Sequence, residues 1–225
     1  MKLNTTTWIY PPRTSTCTPF EQAKALARFD LQAQYKYNDS NVIVQFAGGN
    51  ITLWSRHCTP IKNYPLPPSL ENELRATIRI LGLDPQGHHR FNGGLLHFKH
   101  TAVKNQIVLW DILVMNGEYL IGTPYYERLG MLQTAANGPH CFTNGDGTEL
   151  EVGRKITDHV FIPVTLDNWD EAWENIQKLN RQYANPLLEG LCLKQPKHKL
   201  EYGYSEKNND GLMVKCRVVT GRHLC

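Results

Sequence analysis

Short apolar runs separated by hairpin turns are the feature that most constrains the fold of this chain. Asn116-Gly117 is typical of a two-residue turn between antiparallel strands, and Ala47-Gly48-Gly49-Asn50 predicts a second hairpin. The predicted strands are Leu31–Tyr35, Asn41–Phe46, Ile51–Ser55, Gly94–His97, Ile107–Val114, Tyr119–Ile121, Gly190–Leu193 and Leu212–Val219. Antiparallel pairing is therefore expected to predominate.

Helical periodicity is confined to a few segments between these strands. Leu70, Leu74 and Ile78 recur at helical spacing, which predicts a helix capped by Ser69 and ended by Gly82. The predicted helical segments are Glu21–Arg28, Ser69–Leu81, Pro124–Leu132 and Thr165–Ala184, and the polar stretch Ala136–Gly153 is predicted to be a loop or an irregular ribbon. This mixture predicts an α+β fold, with residues 1–225 forming a single domain.

Composition excludes several classes of protein. The longest apolar run, Ile107–Met115, is interrupted by Asp111 and is too short to span a bilayer, so no membrane role is expected. The six cysteines form no C-x-x-C pair and the amino terminus lacks the apolar core of a signal peptide, so reduced thiols and a cytoplasmic location are predicted. The net charge of +3 is only mildly basic, although bases outnumber acids between Lys194 and Cys225.

Several charged residues fall within or at the ends of predicted strands. Lys36 lies between two tyrosines in AQYKYNDSN, where two strands meet. Lys215 and Arg217 alternate along a third strand, which directs both side chains to one face, as a shared phosphate requires. Taken singly, each of these residues is better explained as an ordinary structural or surface residue.

Taken in order, these segments resemble the collinear motifs of the covalent nucleotidyltransferase superfamily, which contains ATP-dependent DNA ligases, RNA ligases and mRNA capping enzymes. The matching segments, from the first motif to the fifth, are KYND at Lys36, WSRH at Arg56, IVLWDILV at Trp110, EGLCLK at Glu189 and MVKCR at Lys215. The opening WIYPPR and the spacing after Lys36 are most similar to small phage-type ligases. The resemblance extends from about Trp8 to Arg217.

The resemblance implies an adenylation domain with two antiparallel sheets flanked by helices, an ATP-grasp-like ligase core, without a carboxyl-terminal OB-fold domain. The implied catalytic residues are Lys36, Arg56, Glu189, Lys215 and Arg217, with Glu189 also at the metal. The implied nucleotide-binding residues are Gln34, Tyr35, Lys36, Asn38, Arg56, Trp110, Glu189, Lys194, Lys215 and Arg217. The implied cofactors are ATP, as the AMP donor, and Mg²⁺, with Mn²⁺ as a substitute.

The implied reaction is sealing of nicks with 5′-phosphate and 3′-hydroxyl ends through a lysyl-AMP intermediate. The implied partner is a nicked duplex of DNA, RNA or a hybrid of the two, and the protein is expected to be a monomer. The resemblance implies a role in DNA repair or replication, in the host cytoplasm if a phage encodes the protein. Because a lysine attacks only when neutral, the pKa of Lys36 is expected to be lowered by burial or by Arg56, Lys215 and Arg217.

The chain departs from the family pattern at four positions. Asp39 stands where the first motif normally ends in glycine, Asn41 stands in place of an arginine, and Asn38 replaces the usual aspartate. Gly94 occupies the place of an acid that normally holds the ribose or helps position a metal. Either a neighbouring acid substitutes for it or the enzyme is weak or specialised.

Several functions therefore stay open. EGLCLK is more similar to the DNA-ligase form of its motif, which slightly favours DNA, whereas the missing OB-fold is more typical of RNA ligases. A capping enzyme that uses GTP is a further alternative. A degenerate nucleotide- or nucleic-acid-binding module is the alternative from another class, because Asp39, Asn41 and Gly94 break the pattern.

Overall fold

The computed structural model describes residues 7–14, 16–99, 103–183, 185–203 and 213–218. Its strands are β1 (Thr16–Cys17), β2 (Gln32–Tyr37), β3 (Ser40–Ala47), β4 (Asn50–Ser55), β5 (His89–Leu96), β6 (Gln106–Met115), β7 (Glu118–Tyr119), β8 (Gly138–Thr143), β9 (Glu149–Lys155), β10 (Val160–Pro163), β11 (Leu188–Lys194) and β12 (Met213–Arg217). Its helices are α1 (Phe20–Lys24), which continues as a 3-10 helix (Ala25–Phe29), α2 (Pro68–Ile80), α3 (Tyr125–Gln133) and α4 (Trp169–Asn180). The predicted α+β class is confirmed.

The described strands form two sheets. The small sheet has the order β1-β12-β11-β2, and the large sheet has the order β4-β3-β5-β6-β10-β9-β8, with β7 paired to β6. Most neighbours are antiparallel, as the hairpin turns predict. Each sheet nevertheless contains one parallel pair, β1 with β12 and β6 with β10.

The two predicted hairpins form as expected. Gly48 and Gly49 both have positive φ at the turn between β3 and β4. Asn116 and Gly117 also have positive φ, between β6 and β7, as a primed two-residue turn requires.

Two details of the predicted helices differ. Helix α2 begins at Pro68 rather than after a Ser69 cap, because proline at the first helical position has a suitable φ and needs no N–H partner there. Gly82, with φ of +66°, lies just beyond the helix end as predicted. Helix α4 is shorter than the predicted segment and begins after Asn168, whose side chain accepts a hydrogen bond from the Glu171 N–H.

The segment Ala136–Gly153, predicted to be a loop or an irregular ribbon, forms the antiparallel hairpin of β8 and β9. Its apolar content is low since the hairpin stands at the edge of the large sheet, where one face is exposed. Phe142 and Val152 are nevertheless buried in the core. The short strand β10 was also not predicted.

The thiols differ from the prediction at one position. Cys17 is disulfide-bonded, so the prediction of uniformly reduced thiols is wrong there. The other cysteines of the described residues, Cys58, Cys141, Cys192 and Cys216, are free. Among the described helices, none combines the length and the apolarity needed to cross a bilayer.

A bulge in β11 sets the geometry of the small sheet. The register between β11 and β2 shifts between Leu188 and Gly190, so Glu189 has no paired partner on β2. Gly190 has φ of +144°, and a Cβ atom there would collide with the carbonyl oxygen of Cys216. Only glycine allows β12 to approach this closely, which fixes Glu189 at the bulge.

We expect Gly190→Ala to lower the free energy of unfolding by at least about 2 kcal/mol, because it adds both backbone strain and a collision with backbone atoms. Chemical denaturation followed by circular dichroism measures this loss. Gly130→Ala is the matched control, since Gly130 lies in α3 with open space around its Cβ position, so alanine should be neutral or stabilising. Equal stability of the two variants would contradict this account of the bulge.

Candidate active site

A cavity of about 730 Å³ lies between the two sheets. The small sheet contributes side chains from β2, β11 and β12, and the large sheet contributes Asn92 from β5 and Trp110 from β6. The segment from Tyr10 to Thr14 closes one side. This volume is within the range of small-molecule sites in proteins.

The structure brings nearly all of the predicted site residues to this cavity. Those that line it are Gln34, Tyr35, Lys36, Arg56, Trp110, Glu189, Lys194, Lys215 and Arg217. Asn38 does not line it, because its side-chain amide donates to the Pro186 carbonyl, 2.9 Å away. Predicted site residues as far apart as Gln34 and Arg217, 183 positions in the chain, therefore converge on one cavity.

An ion pair between Lys36 and Glu189 forms the centre of the cavity. Lys36 Nζ lies 2.5 Å from Glu189 Oε2, and both side chains are less than one-fifth exposed. Lys36 is held by β2 opposite Gly190, and Glu189 reaches it from the bulge of β11. The bulge thus accounts for the meeting of the two side chains.

Glu189 is surrounded by cations. Arg217 Nη2 lies 3.3 Å from Glu189 Oε2, and Lys99 Nζ lies 3.7 Å from Glu189 Oε1. Although burial raises the pKa of Glu189, the charges of Lys36, Lys99 and Arg217 outweigh burial and lower it. Glu189 is therefore a carboxylate at neutral pH.

The pKa of Lys36 differs from the sequence-based expectation. Burial lowers this pKa, but the charges of Cys192, Glu189 and Asp39 and the hydrogen bond to Glu189 raise it by more. Since burial raises the pKa of the Cys192 thiol, Glu189 is the anion that holds the amine at neutral pH. In the protein without a nucleotide the pKa of Lys36 is therefore raised rather than lowered as predicted, because the Glu189 carboxylate pairs directly with the amine.

Strand β12 presents two cations to the cavity. Lys215 and Arg217 face it, whereas the alternate residues Val214 and Cys216 are buried on the other face. Burial and the neighbouring charges of Arg217 and Lys36 lower the pKa of Lys215. The predicted alternation is confirmed, and the strand concentrates positive charge where an anion can bind.

A hydrogen-bonded network forms the opposite side of the cavity. Lys194 Nζ donates to Tyr125 Oη at 2.9 Å and lies 5.9 Å from the centroid of the Trp110 ring. The Tyr125 hydroxyl in turn lies 3.1 Å from Gln34 Oε1. The side-chain amide nitrogen of Gln34 is buried without a partner among the described residues, so this side can accept an aromatic ring with an acceptor at its edge.

The other predicted residues make different contributions. Tyr35 and Tyr37 border the cavity, but their rings are buried in the core behind β2 because side chains alternate along the strand. The Tyr37 hydroxyl donates to the Val152 carbonyl. Arg56 is exposed at the cavity edge, where its Nε donates to His57 Nε2 at 3.2 Å.

Sequence analysis did not identify Lys99 as a site residue. It follows β5 without a recognisable motif, and only the packing of the two sheets brings it beside Glu189. Asp39 and Asn41 line the cavity as well, although in the sequence they were noted only as departures from the family pattern. Polar residues often follow a strand, so the sequence alone did not single out Asp39 and Asn41 as residues of the cavity.

The described residues offer limited ligands for a metal ion. Within them no group of three or more His, Cys, Asp or Glu side chains gathers. Mg²⁺ is commonly held by one or two carboxylates together with substrate phosphates, and Glu189 supplies a carboxylate to the cavity. The residues present therefore fit a Mg²⁺ that arrives with a nucleotide rather than a metal held by protein alone.

This chain is similar to known proteins in structure but not detectably in sequence. No family model matches the chain, and no curated protein matches it in sequence. A mycobacterial DNA ligase D complexed with ATP and MES superposes with a TM-score of 0.57 at 15% identity, over 93% of this chain and 60% of that chain. The ligase domain from M. tuberculosis LigD gives a TM-score of 0.51 at 16% identity, over 83% of this chain and 53% of that chain.

These similarities establish the class of fold. The chain has the fold of a DNA-ligase nucleotidyltransferase domain, as the sequence motifs predict. It spans less than two thirds of the length of either of these two structures. At these identities the similarity concerns the fold alone.

We expect Glu189→Gln to lower the pKa of Lys36, because burial and the charges of Lys215 and Arg217 then act without the opposing carboxylate. An NMR pH titration of the lysine side-chain signals measures this, with the Lys36 signal assigned by its loss in Lys36→Ala. Glu149→Gln, at an exposed position on β9, is the control and should leave the Lys36 titration unchanged. An unchanged or raised pKa in Glu189→Gln would contradict the assignment of Glu189 as the dominant anion.

Proposed function

We propose that this protein is an ATP-dependent polynucleotide ligase that seals nicks between 5′-phosphate and 3′-hydroxyl ends. The observation that carries the proposal is Lys36, held within a nucleotide-sized cavity by Glu189 and faced by Lys215 and Arg217. In this proposal residues 1–225 act as one adenylation unit.

In the first step, Lys36 Nζ forms a bond to the α-phosphorus of ATP as the bond to the β-phosphate oxygen breaks. Pyrophosphate leaves with that electron pair, and Lys36 becomes a phosphoramidate of AMP. The amine must lose a proton for this attack, and Glu189 Oε2 lies within hydrogen-bond reach to accept it. The same ion pair fixes the direction of the amine before ATP binds.

The charges of the cavity suit a triphosphate. Lys215, Arg217 and Lys99 line the cavity as cations that can balance the charge of the phosphate oxygens, including the negative charge that develops on the departing pyrophosphate. Such fixed cations stabilise the transition state because they need no reorientation during the reaction. On the opposite side, Trp110 offers a ring for stacking of the base and Gln34 an amide for its edge.

Glu189, with phosphate oxygens, is the residue that would hold a Mg²⁺, for which Mn²⁺ could substitute. When bound, this cation would neutralise phosphate charge and orient the leaving group. Glu189 then has two uses, as the partner of the free amine and as a metal ligand. Its position at a bulge rather than in a regular pair leaves both carboxylate oxygens facing the cavity cations.

Two transfers complete the proposed reaction. AMP passes from Lys36 to the 5′-phosphate of a nick, and the 3′-hydroxyl then attacks that phosphate and expels AMP. We propose DNA as the preferred substrate because the motif at Glu189 resembles the DNA-ligase form, with RNA strands also accepted. The mildly basic protein would hold duplex by phosphate contacts that weaken as salt rises.

We expect the wild-type protein, mixed with α-labelled ATP and Mg²⁺, to carry label that survives denaturation. Lys36→Ala should reduce this label more than about 1,000-fold, because no other group occupies the position of the nucleophile. Lys178→Ala is the control, since that exposed lysine pairs with Asp146 outside the cavity, and it should label normally. Absence of label from wild-type protein, after removal of any AMP carried from the host, would favour a non-catalytic binding module.

We expect sealing of a nicked DNA duplex to be faster than sealing of a nicked RNA duplex, with hybrids between them. Denaturing gels of end-labelled strands measure these rates, and the rates should fall as salt is raised because phosphate contacts are screened. Faster sealing of RNA would identify an RNA ligase instead. Labelling by GTP in preference to ATP would identify a capping enzyme.

A further inference from the structure

We propose that Asp39 and Asn41 form an acceptor site for the ribose hydroxyls of the nucleotide, with the Asp39 carboxylate in a volume left open by Gly94. This inference rests on the proposed function for the identity of the nucleotide, but its test is independent of catalysis. It assigns a binding role to two residues that break the family pattern.

The position of Asp39 depends on Gly94. A Cβ atom built on Gly94 would lie 2.5 Å from Asp39 Cγ and 2.8 Å from Asp39 Cβ, and closer still to a carboxylate oxygen. The φ angle of Gly94 is one that any residue can adopt, so the backbone does not require glycine there. The obstacle to a side chain at position 94 is instead Asp39. At Gly93, in contrast, a Cβ would collide with the backbone carbonyl of Val108. A side chain at position 94 and the carboxylate of Asp39 are therefore mutually exclusive occupants of one volume.

The neighbouring polar groups leave acceptors without donors. The Asn41 amide nitrogen lies 2.9 Å from Asn92 Oδ1 and 3.1 Å from the Gly93 carbonyl, donating to both. Its Oδ1 consequently has no partner among the described residues. No described group donates a hydrogen bond to the Asp39 carboxylate either. Two adjacent acceptors at the wall of a cavity are complementary to a ligand with a pair of hydroxyl donors.

The charge of Asp39 restricts which part of the nucleotide it can meet. Its carboxylate would repel phosphates, which the cations on β12 attract. Burial raises the pKa of Asp39 to about 7, against the charges of Lys36 and Lys99, which lower it. A ligand that donates hydrogen bonds would favour the ionised form of this carboxyl group. The uncharged sugar satisfies both conditions.

The first test is equilibrium binding of ATP and of 2′,3′-dideoxy-ATP in EDTA, where divalent cations are removed. Wild-type protein should prefer ATP by about 10- to 100-fold, the usual effect of hydrogen bonds to a charged group. Asp39→Ala should weaken the binding of ATP but not that of the dideoxy analogue. Asp39→Asn should have an affinity for ATP between those of the wild-type protein and Asp39→Ala. Lys215→Ala is the matched control. It should weaken the binding of both nucleotides equally, because Lys215 is proposed to face the phosphates, which the two nucleotides share.

The second test exchanges the two residues. Asp39→Gly should lose the preference for ATP, and Gly94→Asp alone should weaken binding because two carboxylates compete for one volume. The double variant Asp39→Gly/Gly94→Asp restores a carboxylate within one carbon–carbon bond, about 1.5 Å, of the Gly94 Cβ position. It should bind ATP at least about tenfold more tightly than Asp39→Gly. Asp39→Gly/Gly94→Ala should show no such recovery.

Either of two results would overturn the inference. One is an unchanged preference for ATP in Asp39→Ala, with thermal unfolding showing that the variant is folded. The other is a loss of binding in Asp39→Ala that appears only when Mg²⁺ is added in a Lys36→Ala background, since Asp39 would then act through a cation. Failure of wild-type protein to form lysyl-AMP would refute the proposed ligase function while leaving the binding preference to decide the role of Asp39.

Discussion

The ion pair between Lys36 and Glu189 joins two strands of the small sheet across the floor of the cavity. It exists because a bulge at Gly190 turns Glu189 out of the regular register, and a side chain at Gly190 would push β12 away. Displacement of β12 would also move Lys215 and Arg217. The position of the amine, its pairing with Glu189 and the positions of the two cations on β12 thus depend on one irregularity of the backbone.

The cavity separates two kinds of polar group. Cations from the small sheet gather around Glu189, whereas the start of β3 and the strand β5 contribute acceptors, Asn41 and Asn92, next to Asp39. A nucleotide has the complementary division, with anionic phosphates at one end and donor hydroxyls on its sugar. This match links the electrostatics of the site to the class of ligand that we propose.

Much of the candidate site could be predicted because its residues fall in strands whose motifs follow a recognisable order. Lys36, Glu189, Lys215 and Arg217 meet at one cavity as the motif order implies, and strand alternation gave the common face of Lys215 and Arg217. The sign of the Lys36 pKa shift could not be predicted, because it depends on a 2.5 Å contact across a bulge. Lys99 was not predicted, and the β8–β9 hairpin was predicted only as a loop or an irregular ribbon, since neither has a clear apolar pattern or motif of its own.

The central claim is that the amine of Lys36 becomes covalently bonded to AMP. Mass spectrometry of a proteolytic digest, after reaction of the full chain with ATP and Mg²⁺, tests this most directly because it locates the modified residue. We expect an adenylyl group on the peptide that contains Lys36 and on no other peptide. An adenylyl group on a different lysine, or none on wild-type protein, would contradict it.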